Sequence, residues 1–257
     1  MDLNLKSKKA LVCGASQGIG AAIAEALAAE GAQVVIVSRT AADLERQLQR
    51  LAGEGHHYQI CDLDQPEDVS KLETFVKEYQ PDIIVNNAGG PAPGPVASAT
   101  IEEFELAISR HLHASHRLLQ AALPAMKDHK FGRFIQVIST SVKMPIAGLG
   151  VSNTTRGAMA SWSKTLSMEV AQYGITVNNI LPGAVDTGRL RSIIANTAEK
   201  QGISEEQAAK NMEAGIPAGR FGVPAELGDL AVFLASDKAA YITGVSIPVD
   251  GGRTGCL

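Results

Sequence analysis

The sequence predicts a doubly wound α/β fold: a mostly parallel, seven-stranded sheet with helices on both faces, in one domain over residues 1–257. Three observations carry that expectation. Short apolar runs alternate with longer helical patterns from end to end. The runs are continuously apolar rather than alternating, as parallel strands buried on both faces are. A glycine-rich turn, GASQGIG, joins the first apolar run to the first helical pattern.

The elements follow in order. KKALVCGA reads as the first buried strand and GIGAAIAEALAAEG as an alanine-rich helix closing at Gly31. QVVIVSR, rich in β-branched residues, is the second strand, followed by a polar helix around Asp43 to Gln49. YQICDL is the third strand, and a helix opens after it at Pro66. PDIIVNNAG is the fourth, GRFIQVIST the fifth after a helix ending near His129, and ITVNNILPG the sixth. GVSIPVDGG is the seventh, where Pro248 predicts a sheet edge or strand end.

Composition narrows the function. The 257 residues are 45% hydrophobic and 19% charged, with a formal net charge of −4. Such a balance offers no long-range attraction for nucleic acid or an anionic membrane. The amino-terminal residues lack the apolar core of a signal peptide, and no apolar stretch approaches the ~18 residues of a membrane span. Cys13, Cys61 and Cys256 are odd in number and widely spaced, fitting neither a disulfide framework nor metal ligation. A cytoplasmic setting without a metal is expected.

Gly14, Gly18 and Gly20 stand between a strand and a helix, the context of a phosphate-binding turn. Glycines allow close backbone approach to a pyrophosphate, and the helix N-terminus offers free N–H groups. The spacing is GxxxGxG rather than GxGxxG. The second strand ends Ser38-Arg39, where NAD-binding sites place a carboxylate for the ribose hydroxyls. A cation and a hydroxyl there suit the 2′-phosphate of NADP(H) over NAD(H); the alternative is a solvated arginine at a strand end.

With these segments in place, the chain resembles the short-chain dehydrogenase/reductase family over nearly its full length, and within it the 3-oxoacyl-acyl-carrier-protein reductase-like members. CGASQGIG resembles the TGxxxGxG loop, with Cys13 in place of Thr, and implies cofactor contacts from Gly14, Ser16, Gln17, Gly18, Ile19 and Gly20. CDLD resembles the stretch that meets the adenine, implying Asp62 and Leu63, and NNAG implies Asn87, Ala88 and Gly89. LPGAVDTGR resembles the segment over the nicotinamide, implying Pro182, Gly183, Val185 and Thr187. GRFGVPAELGDLAVFLASDKAAYITGVSIPVDGG resembles the carboxy-terminal signature. The resemblance also implies a homo-oligomer, a tetramer or else a dimer, pairing through ELAISRHLHASHRLLQAALPAM and GAMASWSKTLSMEVAQYG.

The catalytic positions depart from the pattern. The family's Asn, Ser, Tyr and Lys fall on His111, Ser139, Ser152 and Arg156, and only Ser139 matches. Slippage does not explain this. Four residues after Tyr58, Tyr79, Tyr173 and Tyr241 stand Asp62, Ile83, Val177 and Val245, so no YxxxK exists in the chain. A Ser hydroxyl is a far weaker acid than a tuned Tyr, and Arg stays protonated to ~12.5 or beyond. Arg156 therefore supplies charge and hydrogen bonds to ribose or phosphate rather than a proton, unless it is a surface ion-pair partner. Ser152 reads first as a helix-start residue. His111 has the side-chain type that titrates near neutrality when unperturbed, His113 and His116 lie nearby, and Lys143 follows Ser139 by four. Losing a general acid removes ~10²–10⁴ in rate, so a slow enzyme or a different donor is expected.

Residues 186–217 form a polar, helix-prone insertion, which the resemblance makes a lid over the substrate. Arg189 and Arg191 either meet an acidic substrate or a carrier phosphate there or sit on a solvated helix face. The expected activity is hydride transfer between NADP(H) and a carbonyl or secondary alcohol, a small molecule or a 3-oxoacyl thioester. The alternative is a nucleotide-binding sensor or scaffold without dehydrogenase activity; a lyase or isomerase using the same cleft is a third reading.

Overall fold

A computed structural model describes residues 2–256. Seven strands form one sheet in the order β3-β2-β1-β4-β5-β6-β7. They are β1 (Lys9–Cys13), β2 (Gln33–Ser38), β3 (His57–Ile60), β4 (Ile83–Asn87), β5 (Gly132–Val137), β6 (Ile175–Pro182) and β7 (Ser246–Val249). Every adjacent pair is parallel, so the sheet is wholly rather than mostly parallel. Pro248 lies on β7, the edge strand, where a missing N–H leaves no ladder bond unmade. β3 is shorter than the apolar run YQICDL: Cys61 makes a last bond to the Ser38 carbonyl at 2.9 Å, and Asp62 and Leu63 then turn into the crevice.

The continuously apolar strands are explained by two cores. Ala10, Val12, Val34, Ile36, Ile83 and Val85 face one side, against α1 (Gly18–Ala29) and α9 (Pro224–Ala235). Leu11, Cys13, Val35, Val37 and Ile84 face the other, against α3 (Pro66–Tyr79), α5 (Ala114–His129) and α6 (Gly150–Val170). Each large apolar side chain so buried contributes roughly 1.5–3 kcal/mol. Gly228 lets α9 lie against α1, since a β-carbon there would stand 3.0 Å from the Ala22 carbonyl oxygen. The remaining helices are α2 (Ala41–Leu48), α4 (Ile101–Ile108), α7 (Gly188–Gln201) and α8 (Glu205–Glu213).

Two features position the site. The strand order reverses between β1 and β4, and such a switch point opens a crevice at the carboxyl ends of the strands. Between α4 and α5 the helix widens into a π turn, Ser109–His113, a local change common at functional sites. Among the described residues, no helix is long and apolar enough to cross a membrane, and no three or more His, Cys, Asp or Glu residues are placed to hold a metal.

Candidate functional site

A cleft of about 1060 Å³ opens over the carboxyl ends of the strands. Its floor begins at the glycine loop. Gly14 adopts φ +59°, and a β-carbon there would sit 2.3 Å from the Asn87 carbonyl oxygen; one on Gly20 would sit 2.2 Å from that of Gly14. Asn87 locks the loop from β4 by donating its amide to the Gly14 carbonyl at 3.1 Å. α1 then opens without a side-chain cap, leaving its first N–H groups turned to the cleft end of the helix. Ser16, Gln17, Gly18 and Ile19 line the same cleft. The exposed Arg39 and Ser38 line it at the end of β2, and the Ser38 Oγ is buried without a protein partner.

Asp62, Leu63, Asn87, Ala88, Gly89, Pro182, Gly183, Val185 and Thr187 also reach the cleft wall. Of these, Thr187 caps α7, accepting from the Leu190 N–H at 3.3 Å, and faces Gly18 across the opening. The rims are joined by backbone bonds from Gly94 to the Gly148 carbonyl at 2.7 Å and from Gly150 to the Gly94 carbonyl at 2.9 Å. A free helix end, a glycine-lined floor and an orphaned hydroxyl beside Arg39 fit a dinucleotide bearing a 2′-phosphate.

Ser139, Ser152 and Arg156 converge on this cleft. Ser139 lies beyond β5, and its Oγ accepts from the Ser141 N–H at 3.0 Å, leaving its proton free to donate. Ser152 and Arg156, four apart in α6, share the face toward the cleft. Leu149 occupies the cap position of that helix, so Ser152 is not its start residue.

Arg156 is only 6% exposed and, among the described residues, forms no ion pair, which removes the surface ion-pair alternative. It donates instead to the Val137 carbonyl at 3.1 Å and the Ala88 carbonyl at 3.3 Å. Burial, then the nearby Arg189 and Arg110, push its pKa down to about 10, so it remains a cation at neutral pH.

His111 lies in the π turn and is buried. Burial, followed by Arg156 and Arg110, pushes its pKa down to about 2. The unperturbed near-neutral value of a histidine therefore does not carry over to this desolvated ring beside two guanidiniums, whose neutral form is favoured. The same pocket wall holds a small polar cavity lined by Asn86, His111 and Gln136, each with a buried nitrogen lacking a protein partner. Lys143 is exposed and lies outside the cleft wall, so it does not face the site; His113 and His116 are exposed as well.

The sequence reading missed Arg110. It forms a two-pronged ion pair with Asp64 and donates to the Gly89 carbonyl at 3.2 Å. Its neighbour His111 was the available signal. Arg189 and Arg191 separate: Arg191 pairs with Asp186 in solvent, whereas Arg189 donates to the carbonyls of Gly90 at 3.2 Å and Pro91 at 3.4 Å across the cleft.

A family model described as enoyl-(acyl carrier protein) reductase matches residues 14–254. The chain belongs to the short-chain dehydrogenase/reductase family. Within that family it is 36% identical to the 3-oxoacyl-[acyl-carrier-protein] reductase FabG of Escherichia coli, across 97% of this chain and 98% of that one. It is 32% identical to the NADPH-dependent reductase BacG of Bacillus subtilis, across 96% and 98%. Its fold matches L-sorbose reductase from Gluconobacter frateurii, solved with NADPH and L-sorbose, at a TM-score of 0.94 and 31% identity, covering 100% of both chains.

Proposed function

We propose that the protein is an NADP(H)-dependent oxidoreductase acting on a carbonyl or secondary alcohol, with 3-oxoacyl thioesters, named for the FabG relative, among the substrates to be tested. The observation that carries this reading is the convergence of Ser139 and the buried cation Arg156 on the cleft that the glycine loop floors. NADPH, when bound, supplies the hydride. The glycine loop and the α1 N-terminus hold the pyrophosphate, Arg39 and Ser38 the 2′-phosphate end, and Asp62 and Leu63 the adenine. Asn87 to Gly89, Pro182, Gly183, Val185 and Thr187 line the nicotinamide end.

The remaining chemistry belongs to the chain's own residues. Ser139 donates a hydrogen bond to the carbonyl oxygen. Arg156, fixed by two carbonyls, favours negative charge as it develops on that oxygen, an electrostatic role that needs no proton transfer from the guanidinium. Ser152 is a neighbouring hydroxyl and too weak an acid to replace a tuned Tyr. The proton therefore arrives from solvent through the hydroxyl-lined cleft, and turnover is slow. Neutral His111 contributes a ring lone pair or N–H and no ionic charge. α7 and α8 pack on their own small core of Leu190, Ile194, Ala198 and Ala208, and residues 186–217 serve as the substrate lid on this reading. Two copies or four pair through the exposed faces of α4 to α6, where Leu106 and Met168 stand in solvent.

A second reading, a nucleotide-binding sensor, is favoured by one observation: a Tyr–Lys pair is absent from the chain. Titration with NADPH and NADH, followed by NADPH consumption over a panel of ketones and 3-oxoacyl thioesters, separates them. Slow turnover supports the oxidoreductase; tight NADPH binding with no turnover across the panel supports the sensor.

A further inference from the structure

Three guanidiniums meet at the 88–91 segment, and only one has a carboxylate. Arg110 is neutralised by Asp64. Arg156 and Arg189 hold backbone carbonyls alone: Val137 and Ala88 for the first, Gly90 and Pro91 for the second. They are close to each other. A β-carbon on Gly90 would stand 3.0 Å from a terminal nitrogen of Arg189 and 3.6 Å from one of Arg156.

The surroundings compensate these charges only in part, and among the described residues Asp62 forms no ion pair with either arginine. Six cationic side chains line the cleft against three carboxylates, Asp43, Asp62 and Asp64, in a chain whose net charge is −4. Asp43 is paired with Arg46 and Asp64 with Arg110. Like charges gathered in a partly buried cleft repel, and an anion bound between them relieves that cost. The cofactor's phosphates do not supply it. They belong to the glycine loop and Arg39, at the ends of β1 and β2, whereas Arg156 and Arg189 flank the loop after β4 beside Ser139.

We propose that the substrate is an oxo acid, its carboxylate held by Arg189 in the field of Arg156, with the reducible carbonyl beside it. A 3-oxoacyl thioester carries no charge next to its ketone and would leave both guanidiniums without an anion. Arg189 is exposed and rides on α7, so its two bonds to Gly90 and Pro91 exchange for a carboxylate as the ligand arrives. A planar fork of donors suits a bidentate carboxylate. This rests on the oxidoreductase reading for which carbonyl is reduced, but not for the binding of the acid.

The test uses three acids with the carboxylate at increasing distance from the ketone, 2-oxobutyrate, acetoacetate and levulinate, each beside its methyl ester. Binding is measured calorimetrically to the full chain, both loaded with NADP⁺ and nucleotide-free. At least one acid should bind tenfold or more tighter than its ester, weakening as salt rises. Arg189→Ala should erase that preference while leaving the ester's affinity and the NADPH affinity unchanged, and Arg189→Lys should retain part of it. The proposal is overturned if acids and esters bind alike, if neither binds, or if Arg189→Ala weakens acid, ester and NADPH together as loss of a structural strap would. Failure of NADPH to bind would instead sink the oxidoreductase reading, with the acid–ester contrast on the nucleotide-free protein still deciding this one.

Discussion

Arg156 donates a hydrogen bond to the Ala88 carbonyl at 3.3 Å, tying the middle of α6 to the segment that follows β4. A second bond to Val137 anchors it to the end of β5 as well. On the proposed reading, the guanidinium so fixed faces the oxygen that gains negative charge. A preorganised cation or donor of this kind is typically worth ~10²–10³ in kcat. Arg156→Met should therefore lower kcat by about a hundredfold, with a much smaller change in NADPH affinity. Steady-state kinetics and a nucleotide titration check this, and a Met variant with wild-type kcat would reject the role.

The proposed preference for NADP(H) rests on Arg39. It is exposed at the end of β2 and beside the partnerless Ser38 Oγ, and a charge-assisted bond to a phosphate contributes about 1.5–3 kcal/mol. Arg39→Ala should weaken NADPH binding about tenfold to a hundredfold and leave NADH binding unaltered. Equal losses for both nucleotides would remove the assignment.

The acid sensitivity of folding should carry a His111 signature. Unfolded histidine titrates near ~6.5, while burial first, and then Arg156 and Arg110, hold the folded residue's pKa down to about 2. A depressed folded pKa means that stability present above the unfolded value is lost as pH falls toward the folded one. Between about pH 7 and about pH 5 this group alone accounts for a loss of about 2 kcal/mol. His111→Gln should flatten the pH dependence of the urea midpoint over that window; parallel profiles for the two proteins would show that the ring is not held neutral.

Two glycines of the cleft should answer oppositely to alanine. Gly14→Ala meets a positive φ and a carbonyl oxygen 2.3 Å from the new carbon, and should cost at least about 2 kcal/mol while disturbing the nucleotide floor. Gly188, in the first turn of α7, has nothing within 4 Å of that position. Gly188→Ala should be neutral or stabilise by up to about 1 kcal/mol. Denaturant unfolding of both variants settles the comparison.

Much of this architecture was legible in the sequence because it rests on periodicity. Runs such as LVC and VVIV must be buried on two faces, and the glycine turn before α1 marks the crevice. Ser139, Ser152 and Arg156 were locatable by motif and spacing, and the absence of a YxxxK is a plain fact of the sequence. What escaped lies in long side chains and in one irregular turn. Local pattern does not say whether Arg189 extends to Gly90 while Arg191 turns to Asp186, because several rotamers of each are open on an isolated helix. Arg110 finds Asp64 from 46 residues away, a pairing no short window contains. The π turn that buries His111 shifts it out of ordinary helical register, and with it the environment that sets its charge.

The most direct test of the central claim is label transfer from NADPH carrying deuterium at the nicotinamide carbon that gives up hydride. The protein is incubated with the ketone and oxo-acid panel, and the products are examined by mass spectrometry. Deuterium on the former carbonyl carbon of at least one product, formed slowly and about a hundredfold more slowly still in Arg156→Met, is the predicted result. Tight NADPH binding with no deuterium in any product would contradict it.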